Sequence, residues 1–293
     1  MVAPFVSGFV AIIGRPNVGK STFLNQVLGY KVSIITEKPQ TTRDRILGIW
    51  NGHDAQVIFL DTPGIHLADK ALNKYMVQKA VSTTTEADLI MLMVEPKDTL
   101  KSLSVISDYL KKANRNTILV LNKIDLMEQG LVTKKLEELN TCYNFISSFG
   151  ISSITGKGID KLMEHIKTLL PEGPRYFPED MVTDMPVRFL CQEIIREKVF
   201  TLTRKEIPYA VAVMIEEFRE GPPTFIRGVI HVERPSQKAI VIGRNGRMLK
   251  EIGIQARRDI ERLIGDKVFL ELFVKVTKNW TKDPLKVKRM GYQ

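Results

Sequence analysis

Hydrophobic positions in the first half of the chain fall in short unbroken runs separated by amphipathic stretches. The runs are "FVAII", "AQVIFL", "DLIMLMV", "TILVLN" and, less cleanly, "YNFISS". Continuous apolar strands alternating with helical segments predict a parallel sheet covered on both faces. Such sheets bind ligands at the carboxyl ends of their strands. The pattern breaks in "LLPEGPRYFPEDMVTDMPVRF", where four prolines fall between Pro171 and Pro186 and interrupt helix and sheet alike. Beyond it "PYAVAVMIEEF" and "FIRGVIHVER" read as strands, and Met248, Leu249, Ile252, Ala256, Ile260 and Leu263 recur at helical spacing. "KVFLELFVKV" then alternates, with Val268, Leu270, Leu272, Val274 and Val276 on one face and Glu271 and Lys275 on the other. Together these predict a small α+β module of helix on sheet. The expected organisation is a first domain over 1–171, a proline-rich linker over 172–187, a second domain over 188–280 and a basic tail over 281–293.

Composition narrows the class. A chain of 293 residues, 44% hydrophobic and 26% charged, is long enough for two domains that each bury a core, and reads as soluble and globular. Its longest apolar runs fall short of the roughly 18 residues a membrane span needs. No basic region or small-residue cleavage site precedes "GFVAIIG", so no signal peptide is expected. Two cysteines, Cys142 and Cys191, are too few for a disulfide framework or a zinc site and fit buried thiols in a reducing cytoplasm. His53, His66, His165 and His231 are scattered without metal spacing and read as structural or surface residues. Net charge is +10, and it is localised: from Pro235 to Gln293 there are 14 Lys/Arg against 6 Asp/Glu, leaving 29 against 27 before them. That concentration predicts a nucleic-acid footprint in the second domain.

Two stretches look alike, "AIIGRPNVGKST" and "AIVIGRNGRMLK". The first satisfies G-x-x-x-x-G-K-[ST] directly after a strand and before the apolar "FLNQVL". The binding set is Gly14, Arg15, Pro16, Asn17, Val18, Gly19, Lys20, Ser21 and Thr22: the glycines let backbone N–H groups turn inward around phosphate oxygens, and the following helix offers its positive end. Lys20 then serves as a point charge for the β- and γ-phosphates, and Ser21 as a magnesium ligand. "DTPG", comprising Asp61, Thr62, Pro63 and Gly64, places Asp61 where a carboxylate steadies the magnesium and Gly64 where an amide meets the γ-phosphate. In "NKID", Asp125 can accept hydrogen bonds from guanine N1–H and the exocyclic amine, a donor pair adenine lacks. Asn122 opens that box, and Lys123 can lay its stem on the base. "SSITG", with Ser152, Ser153 and Ile154, offers a backbone N–H to guanine O6. The set predicts GTP with Mg2+.

With "GRPNVGKST", "QTTRDR", "DTPG", "NKID" and "SSITG" in order, the chain resembles a translation-factor-related GTPase. Adding "DMPVRF", "REKVF", "EIPYAV" and "VERPSQKAIVIGRNGRMLKEIG", it resembles the bacterial Era family over essentially its full length. The resemblance implies an α/β P-loop GTPase domain, mostly parallel sheet with helices on both faces, followed by a small α+β KH type II domain. It makes "QTTRD" switch I, with Thr42 as a magnesium ligand and Thr41 as its rival. Ile65 stands where Ras-like proteins carry a water-orienting Gln, so slow intrinsic hydrolysis is expected. Asn17 matches an asparagine that helps hold a potassium ion in related GTPases, which predicts potassium-stimulated turnover; alternatively it only braces the loop. The catalytic set implied is Lys20, Thr42, Asp61, Gly64 and Asn17. One departure is Ser152-Ser153 where the fifth box usually reads Ser-Ala.

The second stretch fails the phosphate-loop pattern, because Met248 and Leu249 occupy the positions due Gly and Lys. Instead Gly243, Arg244, Asn245 and Gly246 form a GXXG turn, as in a KH domain, whose backbone clamps about four single-stranded nucleotides. Met248, Leu249 and Ile252 are expected to line the groove, with Arg244, Arg247, Lys250, Arg257 and Arg258 supplying charge. By resemblance the partner is the 3′ end of small-subunit rRNA, the task is maturation of the small ribosomal subunit, and the protein is a cytoplasmic monomer without a DNA partner. In that reading the γ-phosphate, through magnesium, orders the segment around Thr41 and Thr42 and repositions the KH module. The tail "WTKDPLKVKRMGYQ" either touches rRNA phosphates or stays solvated. No basic amphipathic helix supports membrane attachment, and peripheral association is left open. Two competing readings are a GTPase subunit of a tRNA-modifying complex, whose relatives end in a cysteine-bearing motif not found here, and an RNA chaperone with incidental hydrolysis.

Overall fold

The computed structural model describes residues 4–35, 42–65, 71–203, 207 and 210–292. The chain divides into two compact units whose main changeover falls between Asp184 and Met185.

The first unit is built from strands β1 Val6–Ile13, β2 Ile46–Asn51, β3 Ala55–Asp61, β4 Leu89–Val94, β5 Thr117–Leu121 and β6 Ser147–Gly150. Helices α1 Lys20–Leu28, α2 Ala71–Glu86, α3 Leu100–Ala113, α4 Gln129–Asn140 and α5 Ile159–Leu169 connect them. The sheet order is β2-β3-β1-β4-β5-β6, parallel except for β2, which runs antiparallel to β3 from Ile46↔Asp61 to Asn51↔Gln56. All of β3, β4 and β5 is buried, as continuous Val/Ile/Leu runs require of strands covered on both faces. β1 lies between β3 and β4, so the turn after Ile13 leaves the middle of the sheet at its carboxyl edge.

Two features differ from the sequence reading. The antiparallel β2 was not foreseen, because "ILGIWN" is too short and too interrupted by glycine to stand out as a run. The last strand, β6, is Ser147–Gly150 rather than "YNFISS", since Tyr143 and Phe145 turn inward to pack on the cluster around Leu139. The proline-rich segment is a strap on this unit. Gly173 N donates to Phe5 O (3.1 Å) and Ile49 N to Val182 O (2.9 Å), the Gln56 side chain accepts from Tyr176 N and Phe177 N, and Phe177 and Met181 cover Leu47, Ile49, Ile58 and Leu60.

The second unit comprises α6 Val187–Leu202, β7 Ala212–Arg219, β8 Thr224–Val232, α7 Pro235–Ile242, α8 Arg247–Ile264, β9 Val268–Val276 and α9 Pro284–Arg289. Its sheet order is β7-β8-β9, with β8 antiparallel to β7 and parallel to β9. One face of the sheet, including Ile226, Ile230, Val232, Val268 and Val274, packs on α6, α7 and α8 through Ile195, Val199, Val241, Ile252, Ala256 and Ile260. The helix α6 escaped the sequence reading for a physical reason. Its charged residues Glu193, Arg196 and Glu197 are buried, with the Arg196 guanidinium donating through Nε to Glu193 (2.8 Å), so the polar positions do not mark a solvent face. The tail is not free either: Trp280 is fully buried and donates to Ala210 O (2.9 Å), and Val287, Met290 and Tyr292 are buried. Both cysteines are free, and burial pushes Cys142 up and Cys191 up to about 12. Among the described residues no helix is long and apolar enough to cross a membrane.

His53 is exposed, His165 shares a hydrogen bond with Ser147 Oγ (2.9 Å), and His66 lies outside the described residues. His231 is buried, its Nδ1 bonded to Thr277 Oγ1 (2.9 Å). Burial lowers its pKa, aided by Lys275 and opposed by Glu216. A histidine depressed in the folded state gives stability that is complete above its unfolded pKa of about 6.5 and is lost as pH falls below it. Between pH 7.5 and 5.5 the second unit should therefore lose more stability in the native chain than in His231→Gln, as read from urea midpoints; parallel acid limbs would refute this.

Candidate functional site

The turn between β1 and α1 is the phosphate loop expected from sequence, and bare backbone shapes it. A β-carbon on Gly14 would stand 2.3 Å from Met93 O, and one on Gly19 would stand 2.2 Å from Asn122 Nδ2, distances no side chain survives. Gly64 of the "DTPG" segment approaches Pro16 so closely that its β-carbon would lie 2.5 Å from Pro16 N. Thr62 Oγ1 anchors the same segment to Ile12 O (2.8 Å), and Ile65 N donates to Gly14 O (3.0 Å). The Ile65 side chain is 3% exposed and packed in the core. Arg15, Pro16 and Asn17 are half-buried, Val18 is buried, and Asn17 takes a left-handed φ of 66°.

Lys20 begins α1 with its Nζ donating to Gly14 O (3.3 Å) and Arg15 O (3.1 Å). Burial pushes it down to about 8, opposed by the Asp61 charge. Burial likewise pushes Asp61 up, opposed by Lys20 and by hydrogen bonds from three hydroxyls. Those hydroxyls converge on one carboxylate oxygen: Asp61 Oδ2 accepts from Ser21 (2.8 Å), Ser33 (3.0 Å) and Thr42 (3.4 Å). Ser21 and Thr42 are 2.9 Å apart. The other oxygen, Oδ1, is buried and has no partner among the described residues. Hydroxyl and carboxylate oxygens gathered around an orphaned acceptor are the hard donor set magnesium takes, so Ser21, Thr42 and Asp61 fit the metal. Thr22 begins the same helix, beside Ser21. Thr41 and Gln40 lie outside the described residues.

Sequence reasoning missed Ser33 and the residue that places it. Asn25 on α1 donates to Ser33 O (2.6 Å) and accepts from Val32 N and Ser33 N (both 3.0 Å), fixing the chain that leads into the switch. Asn25 sits four residues after Ser21, on the same helix face, and only that spacing hinted at it.

The base-reading boxes meet the phosphate loop through Asn122. Its Nδ2 donates to Val18 O (2.8 Å), and its Oδ1 accepts from Ser153 N and Ser153 Oγ (both 2.9 Å). The departure Ser153 thus adds a hydrogen bond that alanine lacks. Lys123 Nζ donates to Asn17 O (2.7 Å), which holds its stem across the base side of the loop. Ser152 is buried and accepts from Thr155 N, while Asp125 and Ile154 are exposed at the mouth. Every described member of the predicted nucleotide set therefore falls at one edge of the sheet.

The second turn is a separate construction. Gly243 (φ 71°), Asn245 (φ 52°) and Gly246 (φ 74°) take left-handed backbone between α7 and α8, and a β-carbon on Gly243 would strike Met248 Cβ at 2.6 Å. The turn fronts a cleft of about 390 Å³ lined by Gly246, Leu249, Lys250, Gly253, Arg257 and Leu272, among others. Of the residues expected to line it, Leu249 does, whereas Ile252 is fully buried in the core and Met248 packs against that core. The four-residue steps Leu249–Gly253–Arg257 and Gly246–Lys250–Ile254 put the true lining on one helix face. Leu270 and Leu272 form the opposite wall from β9. Arg244, Arg247, Lys250, Arg257 and Arg258 are all exposed, and Lys250 and Arg257 reach the cleft.

Comparison with known proteins follows the same division. Residues 9–123 match a family described as 50S ribosome-binding GTPase, and residues 206–281 match the KH domain. The chain is 51% identical over 293 residues to the GTPase Era of Geobacter metallireducens, spanning 99% of this chain and 98% of that protein. It is 46% identical over 289 residues to that of Staphylococcus haemolyticus, spanning 98% and 97%. Among solved structures, an Aquifex aeolicus Era variant bound to GDP·AlF4− matches with a TM-score of 0.95 at 42% identity, over 98% of this chain and 99% of that one. Era in complex with MgGDPNP and nucleotides 1506–1542 of 16S ribosomal RNA gives the same values.

Replacing Asn122 with alanine removes the tie between base and phosphate loops. Two to three hydrogen bonds at about 0.5–1.5 kcal/mol each correspond to a roughly five- to two-thousandfold loss of guanine-nucleotide affinity. Titration with a fluorescent GDP measures it, and an unchanged dissociation constant would mean the loops hold their places unaided.

Proposed function

The chain belongs to the Era family of GTPases, and from that premise we propose a magnesium-dependent GTP switch whose KH unit grips small-subunit rRNA near its 3′ end and serves small-subunit assembly. The observation that carries this reading is the presence, in one chain, of a hydroxyl–carboxylate cluster beside a phosphate loop and a basic cleft behind a GXXG turn.

The nucleotide half works by positioning. Backbone N–H groups of residues 17–20 and the Lys20 ammonium cradle the phosphates. Ser21, Thr42 and Asp61 would hold magnesium, which when bound supplies charge neutralisation at the β- and γ-phosphate oxygens. Gly64 brings an amide toward the γ-phosphate because Pro16 leaves room for nothing larger. Asp125 reads guanine, and the pocket rejects adenine because a carboxylate without its two donors is left unsatisfied. With Ile65 in the core no side chain at that position orients water, which supports slow intrinsic turnover. Asn17, whose carbonyl is already taken by Lys123, is the residue that would direct potassium to the phosphates. On that reading GTP turnover is faster in potassium than in sodium at equal ionic strength, and equal rates would remove the monovalent ion from the mechanism.

The RNA half uses glycine backbone at the GXXG turn to let phosphates approach, with bases entering the cleft between α8 and β9. Its relative in complex with MgGDPNP and 16S rRNA nucleotides supports both the ligand and the pairing of the two. As a switch, the protein should bind a fragment of the 16S 3′ end more tightly with a non-hydrolysable GTP analogue than with GDP. Equal RNA affinity in the two states, measured by fluorescence anisotropy, would reduce the nucleotide half to a bystander.

A further inference from the structure

Between β4 and α3 runs a short acidic turn that none of the nucleotide boxes includes. It carries two buried carboxylates, Glu95 at 4% and Asp98 at 0% exposure. Burying two like charges near a site for a polyanion is electrostatically adverse unless each is matched by a cation. Both are, and the cations belong to the two halves of the nucleotide site. Glu95 Oε2 lies 2.6 Å from Lys123 Nζ of the base box, and Asp98 Oδ1 lies 2.5 Å from Arg15 of the phosphate loop. The second Glu95 oxygen meets Lys97 at 2.8 Å, but that lysine is 70% exposed and adds little in water.

The turn itself is fixed. Asp98 Oδ2 accepts from Glu95 N (2.9 Å), closing the turn on itself. Thr99 caps α3 in a reciprocal box with Ser102, and Asn122 N donates to Val94 O (2.8 Å). Lys123, by contrast, holds a left-handed backbone, φ 64°, a conformation a lysine keeps only where its surroundings dictate it. Its ammonium is pinned between Asn17 O and Glu95, so the end of its side chain is fixed.

We propose that this turn is a positioning element for guanine-nucleotide binding: Glu95 fixes Lys123 against the base and Asp98 fixes the phosphate loop through Arg15, so that both are ordered before the nucleotide arrives. The inference rests on the reading of the first site as a guanine-nucleotide site. Contacts kept from the free site to the transition state act on binding and leave the chemical step alone, so the proposal requires kcat to stand while affinity falls.

The test is a double-mutant cycle on the full chain with fluorescent GDP and with GTP. Glu95→Gln should weaken both nucleotides by on the order of tenfold or more, the loss of one charge-assisted hydrogen bond, with kcat nearly unchanged. In a Lys123→Met background the same substitution should do nothing further. The ratio of GDP to IDP affinity should stay as in the native chain, since the guanine amine is read by Asp125. Asp98→Asn should lose its effect in an Arg15→Met background in the same way. If Glu95→Gln does not fold, Glu95→Asp, which withdraws the carboxylate by one methylene, carries the same cycle. An unchanged dissociation constant, or an equal loss with and without Lys123, overturns the proposal. Failure of the native chain to bind GDP at all would instead overturn the nucleotide reading beneath it.

Discussion

Close approach of bare backbone is the constraint on which the first site depends. At Gly14, Gly19 and Gly64 a single added carbon would collide with Met93, Asn122 and Pro16 at 2.2–2.5 Å. Those contacts are where β4, the base box and the "DTPG" segment meet the phosphate loop. Remove the glycines and the loop moves away from all three. The hydrogen bonds from Asn122 to Val18 and from Ile65 to Gly14 then have no geometry in which to form. Phosphate binding, metal binding and base reading thus share one steric condition, which explains why residues from distant parts of the sequence act as a unit.

Charge is arranged on that scaffold so that the site favours its ligands. Burial disfavours the charged forms of both Lys20 and Asp61, and their mutual attraction offsets only part of it. A polyphosphate would favour the charged form of Lys20, and a divalent cation would engage Asp61 Oδ1. The hydroxyls of Ser21, Ser33 and Thr42 hold the second oxygen meanwhile, so the carboxylate does not swing to the lysine and close the site. Ser33 belongs to this arrangement because Asn25 fixes the backbone on either side of it. The helix that follows the phosphate loop therefore also anchors the chain entering the switch.

Much of this was legible from residue order. The buried strands announced themselves because a sheet covered on both faces needs uninterrupted apolar runs, and β9 because one face of it is wet. The nucleotide boxes were legible because their residue types are dictated by ligand chemistry. What stayed hidden lacks such a dictate. β2 is six residues on an edge, and α6 buries an Arg–Glu pair that reads as surface. The strap from Gly173 to Thr183 is held largely through its own backbone, by main-chain partners and by the distant Gln56 side chain, with only Phe177 and Met181 packing beneath it, and prolines in it suggest a free linker when they merely lack donors. In the cleft beside the GXXG turn the helix periodicity named the correct helix and, in Leu249, one lining residue, but it took Ile252 for another. Ile252 satisfies the apolar pattern because it is core, while Gly253 and Arg257, which line the cleft, break that pattern. Glu95 and Asp98 are two acids in a turn, indistinguishable in sequence from a solvated loop until burial and partners are known.

The two look-alike strings show what decides the ligand of a glycine turn. "AIIG" ends a strand whose last four residues, Val10 to Ile13, are wholly buried between β3 and β4, so the turn is projected from a rigid edge. Six residues then separate the strand from α1, enough for successive N–H groups to wrap a phosphate chain. "AIVIG" ends a helix, α7, whose Ile240 is 42% exposed, and only four residues separate it from α8. Such a turn is too short to encircle anything, but it parts two helices and leaves a cleft against β9. Enclosure suits the terminal phosphates of a small molecule, and an open cleft suits a polymer that must enter and leave from both sides. The element behind the glycine, and the length of chain before the next helix, set that choice before any side chain contributes.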